Sequence, residues 1–334
     1  MLGMRKNSGS CYVHQQLPTD LMTTVHDAAP PASRSTGLPP PGKGLSRFAV
    51  GLVVSIFLLI KLGAMVTSTN SGMAYSTWPD AHGYWLWPKN AALDGALEHS
   101  HRLLGALVGI YAIALVVWVM RKDRRRKIKL MTVSLLALIV VQGLLGGLRI
   151  LENTDYPLLF AMIHGLLAQV ILCLAAYIAY CVSTSWISRS VEDAGEVKRL
   201  RFLAVFALSM VTVQVVLGVI FRHTENVYAK WIHVGFAMFV ALAILVAFGY
   251  CMGKFSSVPG FRRMSRISLG ILAAQVVLGF ITLIVRRPKH VADTESLGRA
   301  FVQSAHVVLG ASLFVVATVL VARSYRNLVP RGEG

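Results

Sequence analysis

The chain has 334 residues, of which 55% are hydrophobic and only 14% charged, with mean hydropathy +0.61. Soluble domains carry about 25% charged residues, so this depletion argues for lipid as the solvent and against a soluble globular domain. The formal charge of +18 does not indicate a nucleic-acid partner, because most basic residues sit in short segments between apolar runs, as membrane topology requires.

Residues 1–45 are rich in Pro, Ser, Thr and Gly, include Gly37-Leu-Pro-Pro-Pro-Gly42, and lack an apolar core of signal-peptide type. They are expected to form a disordered cytoplasmic tail in which His14 and His26 are solvated. Eight apolar runs follow, at about 47–67, 97–120, 129–149, 158–182, 201–221, 230–252, 265–285 and 301–322. Each is close to the roughly 20 residues that span a bilayer as a helix. Lys61 lies near the outer end of the first run, where its stem can snorkel. The basic segment 121–129 follows span two; Lys198, Arg199 and Arg201 follow span four; Lys254, Arg262, Arg263 and Arg266 follow span six; Arg323 and Arg326 follow span eight. This bias predicts an all-α integral membrane protein with both termini cytoplasmic. Loops 68–96, 150–157, 222–229 and 286–300 then face outward. Cys11, Cys173, Cys181 and Cys251 are dispersed and form neither a CxxC motif nor a disulfide framework.

The spans repeat. Gln142-Gly-Leu-Leu-Gly146, Gln214-Val-Val-Leu-Gly218 and Gln275-Val-Val-Leu-Gly279 mark spans three, five and seven, and span one keeps Lys61-Leu-Gly63 at similar depth. Each even span carries a histidine about one turn inside its outer end: His101, His164, His233 and His306. Arg149-Ile-Leu-Glu-Asn153 and Arg222-His-Thr-Glu-Asn226 also match. This predicts a duplicated four-helix unit, an N-terminal half at 46–183 and a C-terminal half at 201–323, joined by a cytoplasmic linker at 184–200 and followed by a tail at 324–334.

One turn beyond the four histidines stand Gly105, Ala168, Ala237 and Gly310. An imidazole that holds a haem iron needs free space beside it for the flat macrocycle, and small residues on the same helix face provide it. Close helix packing also favours small residues, yet does not explain their fixed offset from four histidines. His99 points away from His101 and has Leu103 one turn on, so His101 is the expected ligand and His99 has a packing or interfacial role. A copper or zinc site and four separate structural histidines are the competing readings; no cysteine lies near these positions. Two histidines per half suit bis-imidazole coordination, pairing His101 with His164 and His233 with His306. Glu98, three residues before His101, shares its face; Ala161, Lys230 and Gln303 hold that place before the other three histidines. The glutamines are expected to bond between helices. Arg102, Arg149, Arg222, Lys230 and Arg287 lie at outer ends, where they would serve as haem propionate contacts or headgroup anchors. His82, His223 and His290 are expected to face solvent.

Glu98-x-x-His101-Arg102, the stretch Gly63-Ala-Met-Val-Thr67-Ser-Thr-Asn-Ser-Gly72, then Trp78-Pro79 and Gly83, and the four histidines on a duplicated eight-span plan resemble the haem A synthase family over about residues 47–322. The resemblance implies oxidation of the C8 methyl of haem O to a formyl group by successive hydroxylations, to supply haem A to terminal oxidases. It implies that His101 and His164 flank the substrate haem O, that His233 and His306 ligate a haem b cofactor, and that Glu98 is catalytic, taking a proton or stabilising positive charge. Implied partners are a haem O synthase and an electron donor, in a bacterial type of plasma membrane with the haem sites toward the outer face; a homo-oligomer stays open. Residues 73–95 lack the cysteine pair that some members carry there. The alternatives are a bis-histidine cytochrome b carrying electrons from quinol, which has no evident need of Glu98, and a transporter, which would call for broken helices.

Overall fold

The computed structural model describes residues 42–151, 157–285 and 297–332. Its helices are α1 (Lys43–Ser68), α2 (Leu93–Lys122), α3 (Arg126–Leu151), α4 (Pro157–Cys181), α5 (Ala194–Thr224), α6 (Val227–Lys254), α7 (Phe261–Val285) and α8 (Leu297–Arg326), with two short strands, β1 (Ser190–Glu192) and β2 (Leu328–Pro330). Among the described residues, eight helices are long and apolar enough to cross a membrane. Each expected span falls on one of them. Helix is the expected outcome in a bilayer core, because every backbone polar group must be satisfied inside its own segment.

The helices overrun the spans at their polar ends. α5 begins at Ala194 rather than near 201, with Asp193 accepting a bond from the Glu196 amide at 3.0 Å. Charged residues such as Glu196, Lys198 and Arg199 are good helix formers, so the helix outruns the apolar stretch that marks the bilayer. The outer loop expected at 222–229 shrinks to two residues. Glu225 ends α5 in the left-handed region (φ 54°), and the Asn226 side chain caps α6 by accepting from the amides of Tyr228 and Ala229 at 2.8 and 3.1 Å. α1 begins at Lys43, inside the expected tail, whose residues 1–41 lie outside the described residues, as do Arg287 and His290.

Leu45, Ala49, Leu52 and Ile56 form the buried stripe of α1, whereas Val50, Val54 and Leu58 are about half exposed. An exposed face as apolar as the buried one is what a lipid-facing helix presents. α1 packs against α2 and α4, and α3 against α2 and α4; α5 and α7 each pack against α6 and α8. The buried side chains fall into two clusters, one drawn from α1–α4 with Ala311 of α8, the other centred on α5–α8. α1 and α4 meet α8, and α4 meets α5.

At the end where the basic segments gather, the linker and the tail are built together rather than free. β1 pairs in parallel with β2, in the register Val191 with Val329. Buried Asn327 joins them: it accepts from the Tyr180 hydroxyl (2.9 Å) and donates to the carbonyls of Ser185 (2.8 Å) and Ser188 (2.5 Å). Arg201 of α5 donates to the carbonyls of Ser324 and Leu328.

Candidate haem site

His101 of α2, His164 of α4, His233 of α6 and His306 of α8 line one cavity of about 1610 Å³. Sites for a single small molecule run to roughly 300–1,000 Å³, so this one has room for more than one. His101 and His164 are electrostatic neighbours, as are His233 and His306. Each ring lies against a glycine of the preceding odd helix. A Cβ built on Gly63, Gly146, Gly218 or Gly279 would stand 2.7, 3.4, 3.0 or 3.2 Å from Cε1 of His101, His164, His233 or His306, respectively. The glutamine one turn before these glycines works between helices as expected: Gln142 and Gln214 donate to the carbonyls of His164 (3.0 Å) and His233 (3.1 Å). Gln275 instead brings its amide nitrogen within 3.4 Å of Nε2 of His306. Gly105, Ala168, Ala237 and Gly310 all border the cavity. Space is open where a Cβ would project from Gly105, while at Gly310 the Gln275 amide lies 3.2 Å from that point.

A loop between α1 and α2 is pinned to the site by the Glu98 helix face. One oxygen of buried Glu98 accepts from Arg102 at 2.5 Å; the other accepts from the amides of Ala74 (2.7 Å) and Tyr75 (3.2 Å). Arg102 also donates to the carbonyls of Thr77 (2.7 Å), Asp80 (2.6 Å) and Tyr75 (3.4 Å). Both terminal nitrogens of Arg102 are therefore engaged with the loop or with Glu98, while Arg102 also borders the cavity. His99 is a packing residue, buried, with Nε2 2.9 Å from the Leu86 carbonyl and its ring edge-on to Tyr75 and Trp87. Trp78 lies against α3 where Gly147 lacks a side chain, and Trp78, Pro79 and Trp85 border the cavity.

The other expected cations differ in their engagements. Arg149 borders the cavity in the field of Glu98, close to Gly72 and to His164. Among the described residues its guanidinium makes no hydrogen bond, unlike that of Arg222, which donates from α5 to the Ala64 carbonyl (2.7 Å) and Ser68 hydroxyl (2.9 Å) of α1. Ser68 in turn donates to Gln303 of α8 at 3.0 Å. Lys230 borders the cavity with Nζ 4.8 Å from the Trp231 ring. His82 is exposed, with Nε2 3.1 Å from the Ser76 hydroxyl. His223 departs from expectation: it is in the last turn of α5, partly buried, and lines the cavity beside Gly165 of α4. The segment that holds it is helix rather than loop, because α5 runs on to Thr224.

Among the described residues, no group of three His, Cys, Asp or Glu side chains gathers as a metal-ion site would require. A haem brings its own metal and would need from the chain only imidazole ligands. Nδ1 of His101, His164 and His306 is buried and has no hydrogen-bond partner among the described residues.

Comparison with known proteins agrees with this geometry. Residues 92–231, which hold Glu98, His101 and His164, match the COX15-CtaA family, described as cytochrome oxidase assembly protein. The matches support the haem A synthase family. A heme A synthase of Lysinibacillus sphaericus is 30% identical over 188 residues, covering 54% of this chain and 59% of the relative. One of Alkalihalophilus pseudofirmus is 27% identical over 56% of this chain and 62% of the relative. The chain thus spans about six tenths of the length of these two family members. A longer alignment, to the heme A synthase of Geobacillus thermodenitrificans, is 23% identical over 78% of this chain and 87% of the relative.

Proposed function

We propose that the chain is a haem A synthase that oxidises the C8 methyl of haem O to a formyl group by two successive hydroxylations and loss of water. The observation that carries this reading is the lining of one cavity by four imidazoles together with Glu98, which stands three residues before His101 on the same helix. The helix neighbours and the two core clusters are read as two pseudo-symmetric four-helix halves. His101 and His164 hold substrate haem O in the first half, and His233 and His306 hold haem b in the second. Bound haem iron supplies the redox chemistry; the chain supplies orientation, shielding and charge.

The imidazoles would hold each haem. Arg149, with its donors uncommitted among the described residues, would take a propionate of the first-half haem, and Arg222, near His306, and Lys230 those of the second. Trp78 and Trp85, at the border of the cavity, would limit the access of water to it. A carboxylate has about four acceptor sites, and three donors already use those of Glu98, leaving about one for a proton or for positive charge developing at the substrate methyl. The basic ends face the cytoplasm, which puts the termini there and the histidines toward the outer side of a bacterial plasma membrane. Haem O synthase and an electron donor are the working partners.

Histidine substitutions test the division between halves. His233→Ala and His306→Ala abolish the low-spin haem b spectrum of the purified protein, whereas His101→Ala and His164→Ala keep it and lose haem A. A low-spin spectrum that survives both C-terminal substitutions would refute the assignment.

A further inference from the structure

The glycines beside the histidines share a close approach to the facing ring. A Cβ at Gly63 would strike His101, standing 2.7 Å from Cε1; at Gly218 and Gly279, at 3.0 and 3.2 Å, the ring of His233 or His306 would have to give by a few tenths of an ångström.

We propose that Gly63, Gly218 and Gly279 are positioning residues: each leaves a notch in its helix that seats the Cε1 edge of the facing imidazole and so fixes the ring's orientation in the cavity. The odd helices thereby set the geometry of His101, His233 and His306, whereas Gly146 leaves room for a methyl beside His164. The four Cβ distances grade the notches. The seat of His101 is tightest, that of His233 next, that of His306 looser, and that of His164 accepts a methyl in ordinary contact. Gly249 and Gly270 have nothing within 4 Å of a built Cβ and serve as controls.

This rests on the histidines being haem ligands, so the test reads the rings both without and with haem. The full chain, labelled with ¹³C at histidine Cε1 and held in lipid nanodiscs, is compared before haem addition. Gly63→Ala and Gly218→Ala shift the resonance of His101 and His233, Gly279→Ala shifts His306 less, and Gly146→Ala, Gly249→Ala and Gly270→Ala leave all four in place. After loading with haem b, Gly218→Ala and Gly279→Ala change the g values of the low-spin signal and Gly270→Ala does not. If Gly63→Ala or Gly218→Ala fails to fold, Gly279→Ala carries the comparison. Resonances that move equally for Gly270→Ala and Gly279→Ala, or for neither, overturn the proposal. Graded resonance shifts in a chain that takes up no haem would sustain the notches and refute the haem function instead.

Discussion

Removing the Glu98 carboxylate separates its structural work from its chemistry. The side chains of Arg102 and Glu98 are only 10% and 4% exposed. Breaking a buried pair by deleting one partner costs about 3–5 kcal/mol. Arg102 retains the carbonyls of Thr77, Asp80 and Tyr75, so the lower end applies, about 3 kcal/mol. The two amides at Ala74 and Tyr75 lose their acceptor in the same step, so the loss falls on the loop between α1 and α2 rather than on the helices. At about 1.4 kcal/mol per decade, a loss of that size raises the population of the released loop roughly 10²-fold. Native-state proteolysis of residues 69–92 measures it, because cleavage tracks the open population when closing is fast. Glu98→Ala should therefore be cut about 10²-fold faster while keeping the low-spin haem b spectrum and losing the formyl product. Arg102→Ala is the partner experiment, since it frees the same loop but leaves the carboxylate in place. Retained product in Arg102→Ala with none in Glu98→Ala assigns chemistry to the carboxylate; equal loss in both assigns the defect to the loop. Parental cleavage rates in both variants would refute the latch.

Other consequences concern the basic end. Asn327→Ala leaves the Tyr180 hydroxyl and the Ser185 and Ser188 carbonyls without their partner, at about 1–3 kcal/mol, the usual cost of an unsatisfied buried group; an unchanged melting profile would contradict this. Beyond α2, burial pushes the Asp123 carboxyl up, but the Arg125 side chain and amide and the nearby positive charges outweigh it and hold it below the usual carboxylate range. A lowered folded-state value gives stability that is complete above the unfolded value and lost as pH falls through the folded one. Asp123→Asn should therefore flatten the acid side of stability against pH, below about pH 4, and an unaltered slope would argue against the pairing. Arg149→Leu should weaken uptake of haem O more than of haem b; equal effects would remove it from the first-half site.

Much of the fold was legible because bilayer physics leaves few options. Apolar runs of the right length must be helices, so the eight spans are visible in the sequence, whereas the charged ends by which the helices exceed them are not. The depth of the histidines and the small residues one turn on were legible through the 3.6-residue period. Hydropathy does not report what happens outside the hydrocarbon. Pairing of residues 190–192 with 328–330 depends on Asn327 and Arg201, which look like ordinary loop and helix polar residues. The engagement of Arg102 was hidden for a related reason: an arginine at a helix mouth reads equally as a propionate partner or a loop staple until the Thr77 and Asp80 carbonyls are placed. The glycine of each Gln-x-x-x-Gly motif is visible in the sequence, but its contact lies on another helix. The same limit applies to His223, whose neighbour Gly165 is far away in sequence.

The most direct test of the function expresses the chain with a source of haem O in cells lacking their own haem A synthase, then extracts the haems and separates them by chromatography. The account predicts haem A at the expense of haem O. Unchanged haem O, with the protein folded and loaded with haem b, would contradict it.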